Sequence, residues 1–144
     1  MTEEKIERFM NEFDFLSNFH FSKVTFENVT WRTAEHAYQA MKTLDQHQRL
    51  NMQEIYMPGD VKHYGRTVTM RSDWDDIKLG IMEEIVRCKF QQNPDLQRRL
   101  LCTEDLPIEE GNTWRDKYWG VCAFTGEGEN HLGKILMKIR KELQ

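Results

Sequence analysis

Glu35, Gln39 and Lys42 recur at i, i+4 and i+7 within Thr33-Ala-Glu-His-Ala-Tyr-Gln-Ala-Met-Lys42, a spacing that lines up a carboxylate, an amide and an amine along one side of a helix. Held partly out of water, such a set can serve as acid, base or nucleophile, because burial shifts the pKa values of charged groups and fixes their aim. The apolar residues of the same stretch, Ala34, Ala37, Tyr38, Met41 and Leu44, follow the period of a buried helical face, and Thr33 offers its hydroxyl as an N-cap. The polar line runs about a quarter-turn from the apolar one, so it is expected at the border of the core. A structural reading stands beside the chemical one: Glu35 in a first turn complements the helix dipole, and a Glu and a Lys on one face form an ordinary solvated pair.

Other residues carry weaker versions of the same two-sided signal. Asp116 beside Trp119 is a base-binding pair, the ring stacking on a heterocycle while the acid takes its N–H groups, and equally a turn aspartate beside a core tryptophan. Arg66, just past Gly65, is placed for a phosphate or carboxylate and is equally a surface charge. Lys78 lies one turn from both Trp74 and Met82, at the edge of an apolar face, where a lysine either snorkels to water or points into a pocket. Gly126-Glu-Gly-Glu-Asn130 feeds a helix with Asn130 as its cap; such loops leave backbone N–H groups for an anion, though the Rossmann and Walker spacings are absent. Ser17 and Asn18 are polar groups set between Leu16 and Phe19.

The elements that must position these groups follow from periodicity and turn chemistry. Aromatic-rich irregular chain from Ile6 to Phe19 leads into two short strands around a Glu27-Asn28 hairpin turn, which delivers the chain to Thr33. Leu44 to Met57 reads as a mostly exposed helix, and Asp60 to Tyr64 as one helical turn capped by Gly65, after which Arg66 leaves in an extended run through Val68. Ser72 with Asp75 resembles a capping box for the longest helix, whose buried face is Trp74, Ile77, Ile81, Ile85 and Cys88. Asn93-Pro94 ends it and starts another, packed by Leu96, Leu100 and Leu101. Leu106 to Glu110 and Tyr118 to Phe124 read as strands, and Leu132, Ile135, Leu136 and Ile139 as the buried face of a last helix.

Composition bounds the function. A chain of 144 residues suits a single compact domain, 1–144. Three widely spaced cysteines among apolar neighbours read as reduced packing residues, and five scattered histidines lack a metal-ligand spacing, so no metal or other cofactor is expected. The charged N-terminus lacks the apolar run of a signal peptide and no segment approaches a membrane span, which predicts a cytoplasmic protein with no membrane partner. A net charge of −4 argues against broad affinity for phosphate backbones, while a local basic pocket for a nucleotide-sized ligand survives it.

Taken in order, Phe15-Leu-Ser-Asn-Phe19, Thr33 to Lys42, Gly65-Arg66, Trp74 with Lys78 and Met82, Lys89-Phe90, Asp116 with Trp119-Gly120, and Asn130-His-Leu-Gly133 through Met137 to Arg140 closely resemble the YbiA-like family, also called NADAR. The likeness runs from about Phe13 to the C-terminus; one departure is Val61 before Lys62, where the family often has Ala. The resemblance implies an α+β fold, mostly helical around a small β-sheet, and an N-glycosidase acting on phosphorylated ribosylamino-pyrimidine intermediates of riboflavin biosynthesis or on ADP-ribose attached to guanine in nucleic acid. A module that binds ADP-ribose or a related nucleotide without catalysis is the alternative. Carried over residue by residue, Ser17, Asn18 and Phe19, the helix with Glu35, Gln39 and Lys42, the stretch from Asp116 through Trp119 to Gly120, and Asn130 line the pocket. Within it the reading assigns Glu35 to the charge that builds on the sugar, Lys42 to attack or orientation, Asp116 and Trp119 to the base, and Arg66, Lys78 or the Asn130 loop to phosphate, with Trp74 as a further binding residue.

Overall fold

The computed structural model describes residues 4–144; the first three residues of the charged N-terminus lie outside them. The chain divides into two compact units, one formed by Asn18–Asn93 and the other by residues up to Ser17 together with Pro94–Gln144. Among the described residues, six α-helices and two two-stranded sheets make this a mostly helical α+β fold.

In Asn18–Asn93 the chain enters through a hairpin, β1 (Val24–Phe26) paired antiparallel with β2 (Val29–Trp31). Glu27 and Asn28 both have positive φ, 50° and 65°, as a tight two-residue hairpin turn requires. The turn aims α1 (Ala34–Met41), whose first N–H groups are capped as expected: the Thr33 hydroxyl accepts from His36 N at 3.1 Å, a cap contributing about 1 kcal/mol. α1 packs against α2 (Gln46–Glu54), α3 (Pro58–Tyr64), α4 (Trp74–Gln92) and both strands. Every residue of α1 is therefore buried, so of the expected border stripe Glu35 and Gln39 lie inside the unit, while Lys42 at the C-cap stays half-buried. Leu44 falls beyond the helix end and is 62% exposed. The helix is closed by Arg49, whose Nε donates to the Ala40 and Thr43 carbonyls, and by the Arg71 N–H on the Lys42 carbonyl at 2.7 Å.

Three local expectations in this unit change. α4 begins at Trp74 with Asp73, not Ser72, at the N-cap position, and the Asp73 carboxylate, held by Arg71 at 2.7 and 3.2 Å, makes no cap bond. Its buried face is Trp74, Met82, Ile85, Val86, Lys89 and Phe90, whereas Ile77, Ile81 and Cys88 are only partly covered. α3 starts at Pro58, and after it Arg66 and Thr67 continue in a turn held by Arg66 N to the His63 carbonyl, so no extended run follows.

The other unit holds a 3-10 helix (Asn11–Leu16), α5 (Pro94–Leu101), β3 (Gly111–Asn112), β4 (Val121–Cys122) and α6 (His131–Leu143). α5 packs on α6, whose buried face includes the expected Leu132, Ile135, Leu136 and Ile139. The two long strands expected here shrink to the short parallel pair β3 and β4 and a lone bridge between Ile6 and Ile108. Side chains, not ladders, organise the chain between them: Asn112 Oδ1 accepts from Asp116 N at 2.9 Å and its Nδ2 donates to the Asp116 carbonyl at 3.0 Å. Of the cysteines only Cys122 is buried, with Cys88 intermediate and Cys102 exposed, and all three are free thiols.

Candidate active site

Within Asn18–Asn93, α1 gathers the charged groups. Glu35 is 7% exposed; its backbone N–H donates to the Asn18 carbonyl at 3.0 Å and its Oε2 accepts from Gln39 Nε2 at 2.7 Å. The i, i+4 spacing noted in the sequence thus becomes a direct bond. Lys42, half-buried at the end of the helix, has its Nζ 5.8 Å from the Tyr38 ring centre, and Tyr38 in turn lies 5.1 Å from Trp74 between ring centres. Burial pushes the Lys42 amine below its usual value; Glu35 pulls it back up, and Lys62, Arg66 and Lys78 press it further down. One carboxylate and three further cations thereby act on the Lys42 amine.

The lining polar groups divide into satisfied and unsatisfied. Asn18 Nδ2 donates to Met82 Sδ at 3.3 Å while its Oδ1 is buried without a partner, and Gln39 Oε1 is likewise buried and unpartnered. Phe19 is partly exposed with Lys62 Nζ 5.9 Å from its ring centre. Lys78 is half-buried and 3.5 Å from Asp75, and Arg66 is exposed. His36, which the sequence reading passed over, is buried with Nδ1 2.7 Å from the Thr33 hydroxyl and Nε2 2.8 Å from the Ile55 carbonyl. Burial lowers its pKa, more than the Ile55 carbonyl raises it, with a smaller lowering from Arg32; it is a neutral brace for the start of α1. Lys62, on α3, was also missed; Arg66 lies in the turn just beyond that helix. Cavities of about 460 and 410 Å³ in this unit border the hairpin and α2, and no expected site residue lines either. The chemistry of the side chains, not cavity size, marks the site.

The expected residues of the other unit hold its own chain together. Asp116 Oδ1 accepts from Tyr118 N at 3.0 Å and Trp119 N at 2.9 Å, so that oxygen folds the turn. Trp119 is half-buried, edge-on to Tyr118 at 4.8 Å, and not a core residue. At Gly120 an added Cβ would lie 2.1 Å from the Glu110 carbonyl, which accounts for glycine there by space. Asn130, at φ 54°, sits at the N-cap position of α6 but makes no side-chain cap bond; its Oδ1 accepts from Glu110 N at 3.0 Å and its Nδ2 donates to the Ile108 carbonyl at 2.9 Å. The expectation of open N–H groups for an anion also falls, because the N–H groups of Asn130, His131 and Leu132 donate to the carbonyls of Gly120, Tyr118 and Trp119. Ser17, half-buried, ends the 3-10 helix with its N–H on the Asp14 carbonyl.

Among the described residues no group of three or more His, Cys, Asp or Glu side chains is arranged to hold a metal, and no helix is long and apolar enough to cross a membrane. The NADAR domain family model matches residues 4–144. The chain belongs to the NADAR family. Among its NADAR relatives, N-glycosidase YbiA of Escherichia coli is 34% identical over 129 residues, covering 88% of this chain and 79% of that one. An N-glycosidase of Nostoc punctiforme is 36% identical, covering 89% and 84%. A riboflavin biosynthesis protein of Vibrio vulnificus is 36% identical over 90% of this chain and 35% of its own length. The NMR structure of E. coli YbiA matches with a TM-score of 0.85 and 30% identity, covering 99% of this chain and 87% of that one. This NADAR protein is thus a hydrolase of the N-glycosidase class.

Proposed function

We propose that the protein hydrolyses the bond between ribose and base in phosphorylated ribosylamino-pyrimidine intermediates of riboflavin biosynthesis, in the cytoplasm. One observation carries the reading: a buried carboxylate, Glu35, shares its surroundings with an amine whose pKa is depressed, Lys42, and with three further cations. Breaking a ribose N-glycosidic bond builds positive charge at the anomeric carbon, which a nearby carboxylate stabilises. Lys62, Arg66 and Lys78 supply the charge to hold a phosphate in a chain that is otherwise acidic. The riboflavin naming of the V. vulnificus relative and the three free thiols, which suit a reducing compartment, support the substrate and the setting.

In this mechanism Glu35 faces the anomeric carbon. The neutral fraction of Lys42 adds its lone pair there as the C–N bond to the base breaks, and the base leaves with that electron pair and a proton. Opening of the C–O bond of the sugar ring then gives a Schiff base on Lys42. Water adds to its carbon, the amine departs, and the ring closes to ribose 5-phosphate. One water is consumed in total, and base and sugar phosphate are the products. Tyr38 and Trp74 form the aromatic wall beside the amine, and Asn18 and Phe19 contribute polar and aromatic surface next to Glu35 and Lys62.

The test is parallel incubation with a ribosylamino-pyrimidine phosphate and with an oligonucleotide carrying ADP-ribosylated guanine, following free base and free sugar by chromatography. Release from the first substrate is expected. Release from the second alone would replace the substrate, and saturable binding without release from either would make the protein a nucleotide-binding module.

A further inference from the structure

We propose that Gly65 and Gln39 form a positioning pair for Glu35, in which the bare backbone at the end of α3 holds the Gln39 amide so that its NH2 group meets the carboxylate. The proposal rests on the reading in which Glu35 is the reacting acid. Gln39 is 2% exposed and makes one hydrogen bond through its amide, Nε2 to Glu35 Oε2 at 2.7 Å, while Oε1 has no partner. Leaving a buried carbonyl oxygen unpartnered is costly. The last torsion of a glutamine is soft and roughly two-fold, so the amide turns over wherever that helps. Here turning it would set carbonyl against carboxylate, acceptor facing acceptor, so an ionised Glu35 selects the observed orientation.

Gly65 explains why the side chain stays. A Cβ at this position would lie 2.0 Å from Gln39 Oε1 and 2.9 Å from its Cδ, so the amide rests directly on the glycine backbone. Gly65 has φ −60° and ψ −19°, a conformation open to any L-residue. The glycine is therefore needed for space and not for its backbone freedom, and the space is filled by Gln39. The contact gives α3, which also carries Lys62, a direct hold on the aim of Glu35. Gln39 on this account acts through Glu35 and does not touch the substrate.

The experiment compares Gly65→Ala, Gln39→Ala and the double variant in kcat, KM, the pH dependence of kcat/KM and Tm. Each single variant is expected to lose about ten- to a hundred-fold in kcat with KM changed by less than about three-fold, since a displacement of about 1 Å costs that much. The acidic limb carries two breaks, one from the Lys42 amine and a lower one from Glu35, and the lower break moves to higher pH in both variants, because the carboxylate loses a donor that favours its charged form. The double variant is no worse than Gln39→Ala, since removing the amide makes room for the methyl group. Additive losses, or a fall in Tm with the acidic limb unmoved, overturn the proposal. Should Gly65→Ala not fold, Gln39→Ala decides through its acidic limb. A carbon-13 titration of the Glu35 carboxyl separates this proposal from the proposed reaction: its midpoint rises in Gln39→Ala whether or not base is released, and an unmoved midpoint overturns the pairing alone.

Discussion

Two carboxylates that the sequence marks alike, Glu35 in one unit and Asp116 in the other, are held by opposite kinds of donor. Asp116 Oδ1 receives two backbone N–H groups from its own turn, Tyr118 and Trp119. Glu35 Oε2 receives a side-chain amide from one helical turn away, and Glu35 acts on the Lys42 amine together with Lys62, Arg66 and Lys78. A carboxylate that closes a backbone turn shapes the chain, whereas one held by another side chain among cations is aimed. The same contrast holds for asparagines. Asn130 is bonded at both ends of its amide, whereas Asn18, whose backbone carbonyl accepts from Glu35 N, keeps its buried Oδ1 without a partner.

The contrast is broken most directly at Glu35. Glu35→Gln is expected to lower kcat by about a thousand-fold or more, since it removes the charge that stabilises the sugar cation, with Tm within a few degrees of the parent. Near-parental turnover would move the reacting carboxylate elsewhere. Lys42→Arg comes next, because arginine keeps the positive charge but lacks a neutral amine. A loss of about a hundred-fold or more in kcat with KM little changed, together with a sugar adduct on Lys42 after borohydride reduction, marks a nucleophile. Substantial activity in Lys42→Arg and no adduct mark an orienting ammonium instead.

The pH dependence of Lys42 is a smaller and sharper probe. Its folded pKa is lowered, first by burial, so kcat/KM rises with pH through a point below the usual lysine range as the amine becomes neutral. Lys62 is one of the neighbours pressing that pKa down; Lys62→Met therefore moves the rise to higher pH. Linkage gives the matching sign for stability. Between the lowered folded pKa and the unfolded one the unfolded chain binds more protons, so this group's contribution grows with pH across that window and is lost as pH falls through it. Lys42→Met should flatten that slope in chemical denaturation.

The smallest effects are expected at Asp116. Asp116→Ala removes the acceptor of two backbone amides and should cost about 1–3 kcal/mol in unfolding free energy, with a modest change in kcat. Asp116→Asn keeps the Oδ1 acceptor, so stability and turnover should both stay within about three-fold of the parent equilibrium and rate. A hundred-fold fall in kcat for Asp116→Asn at unchanged Tm would return this carboxylate to the chemistry and end the contrast.

Much of the local structure was legible because the physics behind it is local. The Thr33 cap, the Glu27-Asn28 turn, the break at Asn93-Pro94 and the apolar face of α6 each depend on a few neighbouring residues. The expectations that failed turn on side-chain and loop bonds that periodicity does not mark. Asp73, not Ser72, stands at the start of α4 with its carboxylate on Arg71, Asn112 ties down Asp116 in the chain between two short strands, and the N–H groups before α6 are taken by carbonyls ten or more residues away.

By itself the sequence determined that Glu35, Gln39 and Lys42 share one side of one helix, since 3.6 residues per turn leaves no other arrangement once the helix forms. It also carried the family likeness. Tertiary structure alone decided how deeply that helix lies, because α2, α3, α4 and the hairpin cover it on all sides, burying Glu35 and Gln39 and leaving Lys42 half-buried. It also decided that Lys42 is surrounded by Lys62, Arg66 and Lys78, from two other helices and a turn. Desolvation and the sum of nearby charges depend on which surfaces meet in space, and no spacing along the chain encodes that.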